Sequence, residues 1–192
     1  RLRALTSSLV QGGLLVLIVL GLFLRPALAF WVVVGIPVCF AGGVLMMPWF
    51  GISGNVMSIF GFIIVVGVVV DDAIVTGENV YSKMRAGMNS LEASIVGAQE
   101  VAVPVTFGVL TTVVAFMPLM FFDGQWGDFA KQIPPVVAPV LLFSLVESKL
   151  ILPAHLKHLR MTEQRKGRFS RIQQKIAEGL ERFIERVYQP IL

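Results

Sequence analysis

Gly61-Phe62-Ile63-Ile64-Val65-Val66-Gly67-Val68-Val69-Val70-Asp71-Asp72-Ala73-Ile74-Val75 sets ten almost wholly apolar residues directly before two adjacent carboxylates. From Val56 to Val75 the chain is one hydrophobic span of about 20 residues, long enough to cross a hydrocarbon core ~30 Å thick. Asp71 and Asp72 fall in its last two turns. A carboxylate at that depth costs roughly 3 kcal/mol or more, so it normally faces protein or a water-filled path and marks the movement of ions or protons.

The composition around this stretch agrees with it. The chain of 192 residues is 56% hydrophobic and 15% charged, too apolar for a soluble domain of this size. Its apolar runs are continuous rather than alternating, which predicts helices and argues against a membrane barrel. The fold class expected is an all-α membrane protein: a polytopic transmembrane helix bundle over residues 1–155. Five spans are expected, at about 4–24, 28–47, 56–77, 101–122 and 133–152. A cytoplasmic-side linker and a C-terminal interfacial amphipathic helix follow over residues 156–192. The single cysteine, Cys39, lies in an apolar run and reads as a small buried hydrophobe. The chain opens on Arg1 without a methionine or a signal-peptide layout, and so reads as an excerpt of a longer protein.

Local signals punctuate the spans. Arg25-Pro26 predicts a tight connection before the second span, and Pro37 predicts a kink within it. Gly35, Gly42 and Gly43 offer small surfaces for close helix packing. Pro48 to Asn55 is a turn-rich link with interfacial aromatics. Asn89-Ser90-Leu91-Glu92 has the pattern of a capping box opening a short helix before the fourth span. Phe121 to Asp128 reads as a loop, and Pro134, Pro135 and Pro139 are expected to loosen the first half of the fifth span. In the tail, Phe169, Ile172, Ile176, Leu180, Phe183, Ile184 and Val187 recur at helical period among Arg and Lys. That pattern suits a helix lying in an anionic membrane surface rather than one bound to nucleic acid. Lys and Arg concentrate at Arg25, at Lys83 with Arg85, and in the tail, which predicts that these connections are cytoplasmic. Arg1 and Arg3 run against the rule, tolerably so if a large translocated domain precedes them.

Several stretches together carry a family resemblance. Gly67-Val68-Val69-Val70-Asp71-Asp72-Ala73-Ile74-Val75, followed by Glu78-Asn79-Val80, resembles the fourth transmembrane helix of the resistance-nodulation-division efflux transporters. Leu24-Arg25-Pro26-Ala27 is similar to the family's short turn before its third helix. Thr111-Thr112-Val113-Val114-Ala115-Phe116-Met117-Pro118 resembles its fifth helix, and the tail its interfacial helix between the two halves. The resemblance implies part of the proton-translocating domain of an antiporter, exporting small hydrophobic or amphiphilic compounds from the bacterial inner membrane. It implies no cofactor, the drive being the proton-motive force. The partners it implies are membrane lipid, the remainder of the transporter with a membrane lysine from its second half, a homotrimeric assembly, a periplasmic adaptor and an outer-membrane channel. The alternative is a non-transporting module, lipid-sensing or for assembly, on the same helices.

The candidate proton carriers are Asp71 and Asp72. Adjacent positions lie about 100° apart on a helix, so both cannot point one way. Burial and a like-charged neighbour favour a carboxylate's neutral form, and a cation favours its charged form, which is the balance a proton-exchanging site needs. The structural alternative is an ion pair with a lysine of another helix. An aspartic-protease dyad fits poorly, because its carboxylates must face each other. A metal-dependent prenyl-transfer site is disfavoured, since no third carboxylate follows one turn on. Thr111 and Thr112 are secondary candidates, with backbone bonding inside the bundle as their ordinary role. Glu147 is a further candidate, set against the expectation that it snorkels to the interface. His155 reads as interfacial, without companions that suggest a metal.

Overall fold

The computed structural model describes residues 26–158. The expected first span at 4–24 and the amphipathic tail lie outside them. Contacts group Phe30–Leu159 into one compact unit, while residues 26–29, the first turn of the first described helix, belong to another. The described elements are α1 (Pro26–Met46), α2 (Val56–Arg85), α3 (Ser90–Phe116), α4 (Gln125–Ala130), α5 (Pro134–Val146) and α6 (Leu152–Leu156). A π-turn at Glu147–Ile151 joins α5 to α6. Short 3-10 turns extend α1 through Met47–Phe50 and α3 through Met117–Phe121.

By length and composition, four segments among the described residues can cross a membrane: Ala27–Phe50, Val56–Arg85, Ser90–Phe121 and Gln125–Leu156. They correspond to the expected spans at 28–47, 56–77, 101–122 and 133–152. The sequence-based boundaries need correction in two places. The polar stretch before the fourth span is not a separate short helix but the beginning of α3. Its Asn89 side chain caps that helix by accepting from Glu92 N at 2.9 Å. Residues 125–128 of the expected loop belong to α4, which runs on to Ala130. α1 continues through Pro37 and α5 through Pro139, and Pro134 begins α5 at a position where a missing N–H costs nothing.

Asn55 supplies a cap that the sequence reading overlooked. Its side chain accepts from Met57 N and Ser58 N at 2.9 and 3.0 Å, and Ser58 Oγ accepts from the Asn55 backbone N–H at 2.9 Å. These bonds satisfy donors that an uncapped helix start would leave open. The same asparagine donates to Gln132 Oε1 at 2.5 Å, tying the start of α2 to the α4–α5 link. At the other end, Lys83 pairs with Glu100 at 2.6 Å and Trp31 stacks on His155 with ring centroids 4.0 Å apart. The alternate ends of the helices are thereby gathered into two faces. The expected basic connections at Lys83 with Arg85 and beyond His155 share one of them.

The core sits where α2 meets α3 and α5. Val65, Val69, Ala73, Thr76 and Val80 recur at helical spacing and are buried, as are Val105 and Val109 of α3. Val136, Val137, Val140 and Leu141 of α5 are completely enclosed. Phe60, Ile63, Val103, Phe107 and Val114 face outward. An apolar exterior around an apolar core is the arrangement a bilayer permits, because lipid penalises no exposed hydrocarbon. Small residues allow the closest approaches: Gly61 of α2 lies against Val136 of α5, and Gly97 of α3 against the Val80 backbone.

Candidate functional site

Asp71 and Asp72 lie near the middle of α2, about 22 Å from its first residue at ~1.5 Å rise per residue. The helix extends well past the expected boundary at 77 to Arg85. The pair is therefore more central in the helix than its position in the hydrophobic run suggested. The two side chains diverge as helical geometry requires. Asp71 is exposed on the surface of the unit, whereas Asp72 is half-buried between α2 and α5. Ser144, fully buried on α5, donates its hydroxyl to Asp72 Oδ2 at 3.2 Å.

α2 and α5 run in the same direction, with Gly61 beside Val136 and Asp72 beside Ser144. α1 runs opposite to α5. A Cβ on Gly43 would overlap Val140, one on Gly42 would overlap Phe143, and one on Gly35 would overlap the Glu147 carboxylate. Gly35, Cys39 and Gly42 lie at i, i+4 and i+7 and form one narrow face of α1. Cys39 is fully buried there, as expected.

Glu147 departs from expectation. It does not snorkel: only 2% of the residue is exposed. It opens the π-turn, in which Leu152 N–H bonds back to the Glu147 carbonyl. Pro153 provides the physical cause, since it has no N–H and its ring crowds the carbonyl four residues earlier, widening the preceding turn. Lys149, two residues on, turns away from Glu147 and donates to Thr106 Oγ1 of α3, and Thr106 in turn donates to Ala102 O at 2.5 Å.

Thr111 and Thr112 do not reach the aspartates. Their hydroxyls donate to Phe107 O at 2.7 Å and Gly108 O at 2.9 Å, the carbonyls four residues back. That is the backbone role weighed for them above. His155 is half-buried and stacked on Trp31. The residues sequence reasoning missed are Ser144, Thr106 and Lys149. One signal was available, because Ser144 and Glu147 are three positions apart and so share a helix face.

Four apolar segments long enough to cross a membrane, with carboxylates turned into their packing, have the character of a polytopic helical membrane protein. Comparison with known proteins gives the family. Residues 2–192 match the AcrB/AcrD/AcrF family, and the chain belongs to it. It is 32% identical to the multidrug resistance protein MdtC of Pectobacterium carotovorum over 196 aligned residues, covering 96% of this chain and 18% of that protein. It is 33% identical to MdtC of Escherichia coli O7:K1 over 184 residues, covering 93% of the chain and 18% of the relative. It is 29% identical to an uncharacterized transporter of Haemophilus influenzae, covering 74% of the chain and 14% of the relative. The chain thus spans less than a fifth of the length of these curated relatives. The family is that of the resistance-nodulation-division transporters, inner-membrane secondary transporters rather than enzymes, which use the proton-motive force without a cofactor.

Proposed function

We propose that this chain forms part of the proton-translocating membrane domain of a drug/proton antiporter, with Asp71 and Asp72 as the groups that take up and release the coupling proton. The observation that carries this reading is the setting of Asp72, a carboxylate near mid-helix of an apolar span, half-buried and hydrogen-bonded to the enclosed Ser144. A scaffold gains nothing from an acid at such depth, whereas a proton carrier requires one. Asp71, on the exposed side of the same helix, is where a cation from the remainder of the transporter would act. The exported compounds are small and hydrophobic or amphiphilic, in keeping with the relatives described as multidrug resistance proteins. A homotrimer working with a periplasmic adaptor and an outer-membrane channel completes the proposal, as does an interfacial helix over 169–187 on the cytoplasmic side.

The test uses the complete transporter in membranes carrying matched amounts of protein, with efflux driven by an imposed pH gradient. Asn is close to Asp in size and keeps hydrogen bonding but cannot ionise. Asp71→Asn and Asp72→Asn are each expected to abolish gradient-driven export while expression and insertion stay near normal. Insertion survives because removing a buried charge lowers a desolvation cost. Undiminished gradient-driven efflux in both variants would make the pair a structural feature.

A further inference from the structure

Glu147 is an acid enclosed by its own unit. Among the described residues its carboxylate makes no hydrogen bond and no ion pair, although 98% of the residue is enclosed, the complement of its 2% exposure. A carboxylate anion removed from water needs donors or a cation to compensate it, and the described residues supply none. The nearest cation in sequence, Lys149, is directed to Thr106. The uncharged acid is the species this enclosure accommodates.

The position of Glu147 is as informative as its enclosure. It follows Ser144 by three residues on the same face, about 4.5 Å further along the axis at ~1.5 Å per residue. Because α2 and α5 run in the same direction, that step leads from the Asp72 contact towards the basic ends of the helices. The carboxylate lies against α1 at Gly35, in space that a Cβ at this position would occupy. A π-turn begins at Glu147 itself, and such wide turns recur where a helix has to rearrange or serve a site. A narrow glycine face, an acid pressed against it and a locally adjustable helix make an opening device.

We propose that Glu147 is a second proton-binding carboxylate of this membrane unit, one turn beyond the Ser144–Asp72 contact, which exchanges its proton with water when α1 and α5 part at Gly35. The step is an acid–base exchange: the Glu147 O–H bond breaks, the proton passes to water, and the carboxylate remains until a proton returns. In the arrangement seen here the gate is closed and the proton is held. The titratable and charged groups on the surrounding elements leave it this role. Cys39 lies on the same narrow face of α1 as Gly35, and Asp72 on α2 is engaged by Ser144. Asp71 is exposed, Glu100 on α3 is paired with Lys83, and His155 on α6 is stacked on Trp31. The proposal rests on the proton-coupled reading above, and it gives the Asp72 site a route towards the basic end.

The experiment uses the complete transporter reconstituted in liposomes and the apolar reagent dicyclohexylcarbodiimide, which adds to protonated carboxyls in apolar surroundings. Adducts are located by mass spectrometry on the fragment carrying Glu147, separate from the fragment carrying Asp71 and Asp72. Labelling of Glu147 is expected near pH ~7, where an ordinary glutamate with a pKa of about 4.3 is almost wholly ionised. Gly35→Ala, whose methyl group would take the space the carboxylate now fills and turn it aside, is expected to diminish that labelling at the same pH. In efflux assays Glu147→Gln is expected to lose gradient stimulation and flatten the pH profile. Glu147→Asp, which can still carry a proton, keeps a pH-dependent profile. An unlabelled Glu147 at neutral pH overturns the proposal. So does a wild-type pH profile in Glu147→Gln, and labelling unchanged by Gly35→Ala overturns the gate. Because the adduct is read on its own fragment, failure of the Asp71 and Asp72 assignment shows separately, as export that persists in their asparagine variants.

Discussion

Gly97→Ala tests a crossing where the backbones of two helices lie against each other. A Cβ added at Gly97 would lie 2.6 Å from Val80 Cα and 2.8 Å from Val80 N, so the obstacle is the backbone of α2 and not a side chain that can turn aside. Overpacking of this kind costs about 1–3 kcal/mol. Moving α3 outward to relieve it also stretches the bond from Asn79 Nδ2 to Gly97 O, 2.8 Å here, whose net worth is about 1 kcal/mol. Against these stands the helix-forming advantage of Ala over Gly, about 1 kcal/mol. The sum is a net destabilisation of about 1–3 kcal/mol, enough to lower the temperature at which the full-length protein in detergent loses its monodisperse peak. The control is the double variant with Val80→Ala. Val80 Cγ2 is the third-nearest atom, at 3.0 Å, and trimming it leaves the backbone clash in place. The double variant should therefore be no more stable than Gly97→Ala alone. Full rescue by Val80→Ala, or a Gly97→Ala protein as stable as wild type, would refute the backbone-contact argument.

Three further outcomes are expected. Asn55→Ala removes the side chain that accepts from Met57 N and Ser58 N and donates to Gln132, and should cost about 1–2 kcal/mol in the same thermal assay. A variant as stable as wild type would show that solvent replaces the cap. In a Cys39→Ala background, cysteines at the exposed Gln125 and Ala86 should label from opposite sides, Gln125 reacting with an impermeant reagent in intact cells and Ala86 not. These positions avoid Gly124 and Gly87, whose φ of +87° and +97° would strain any side chain. The reverse pattern would invert the orientation. Phe183→Glu should weaken membrane association of the tail by placing charge in its apolar stripe, and equal protease protection in both forms would indicate that protein contacts hold it instead.

The helices of this unit were legible because the signal for a spanning segment is local and additive. An apolar run such as Val56 to Val75 needs no neighbour to become a helix, since in lipid its backbone groups must bond within the segment. The same local chemistry marked the Asp71–Asp72 pair as costly, buried Cys39 and placed the Asn89 cap. Tertiary structure decided what each acid faces. Ser144 meets Asp72 across 72 positions of chain, a pairing set by the register of two parallel helices that no local pattern carries. The same holds for Glu147. Near the end of an apolar run, with a lysine two residues on, it has the local features of a snorkelling acid. It turns inward because Gly35 leaves room for a carboxylate and Pro153 widens the turn that aims it. A sequence states which residues are apolar and which can cap, but where a charge ends up depends on the space its neighbours leave, and that space exists only once the helices have packed.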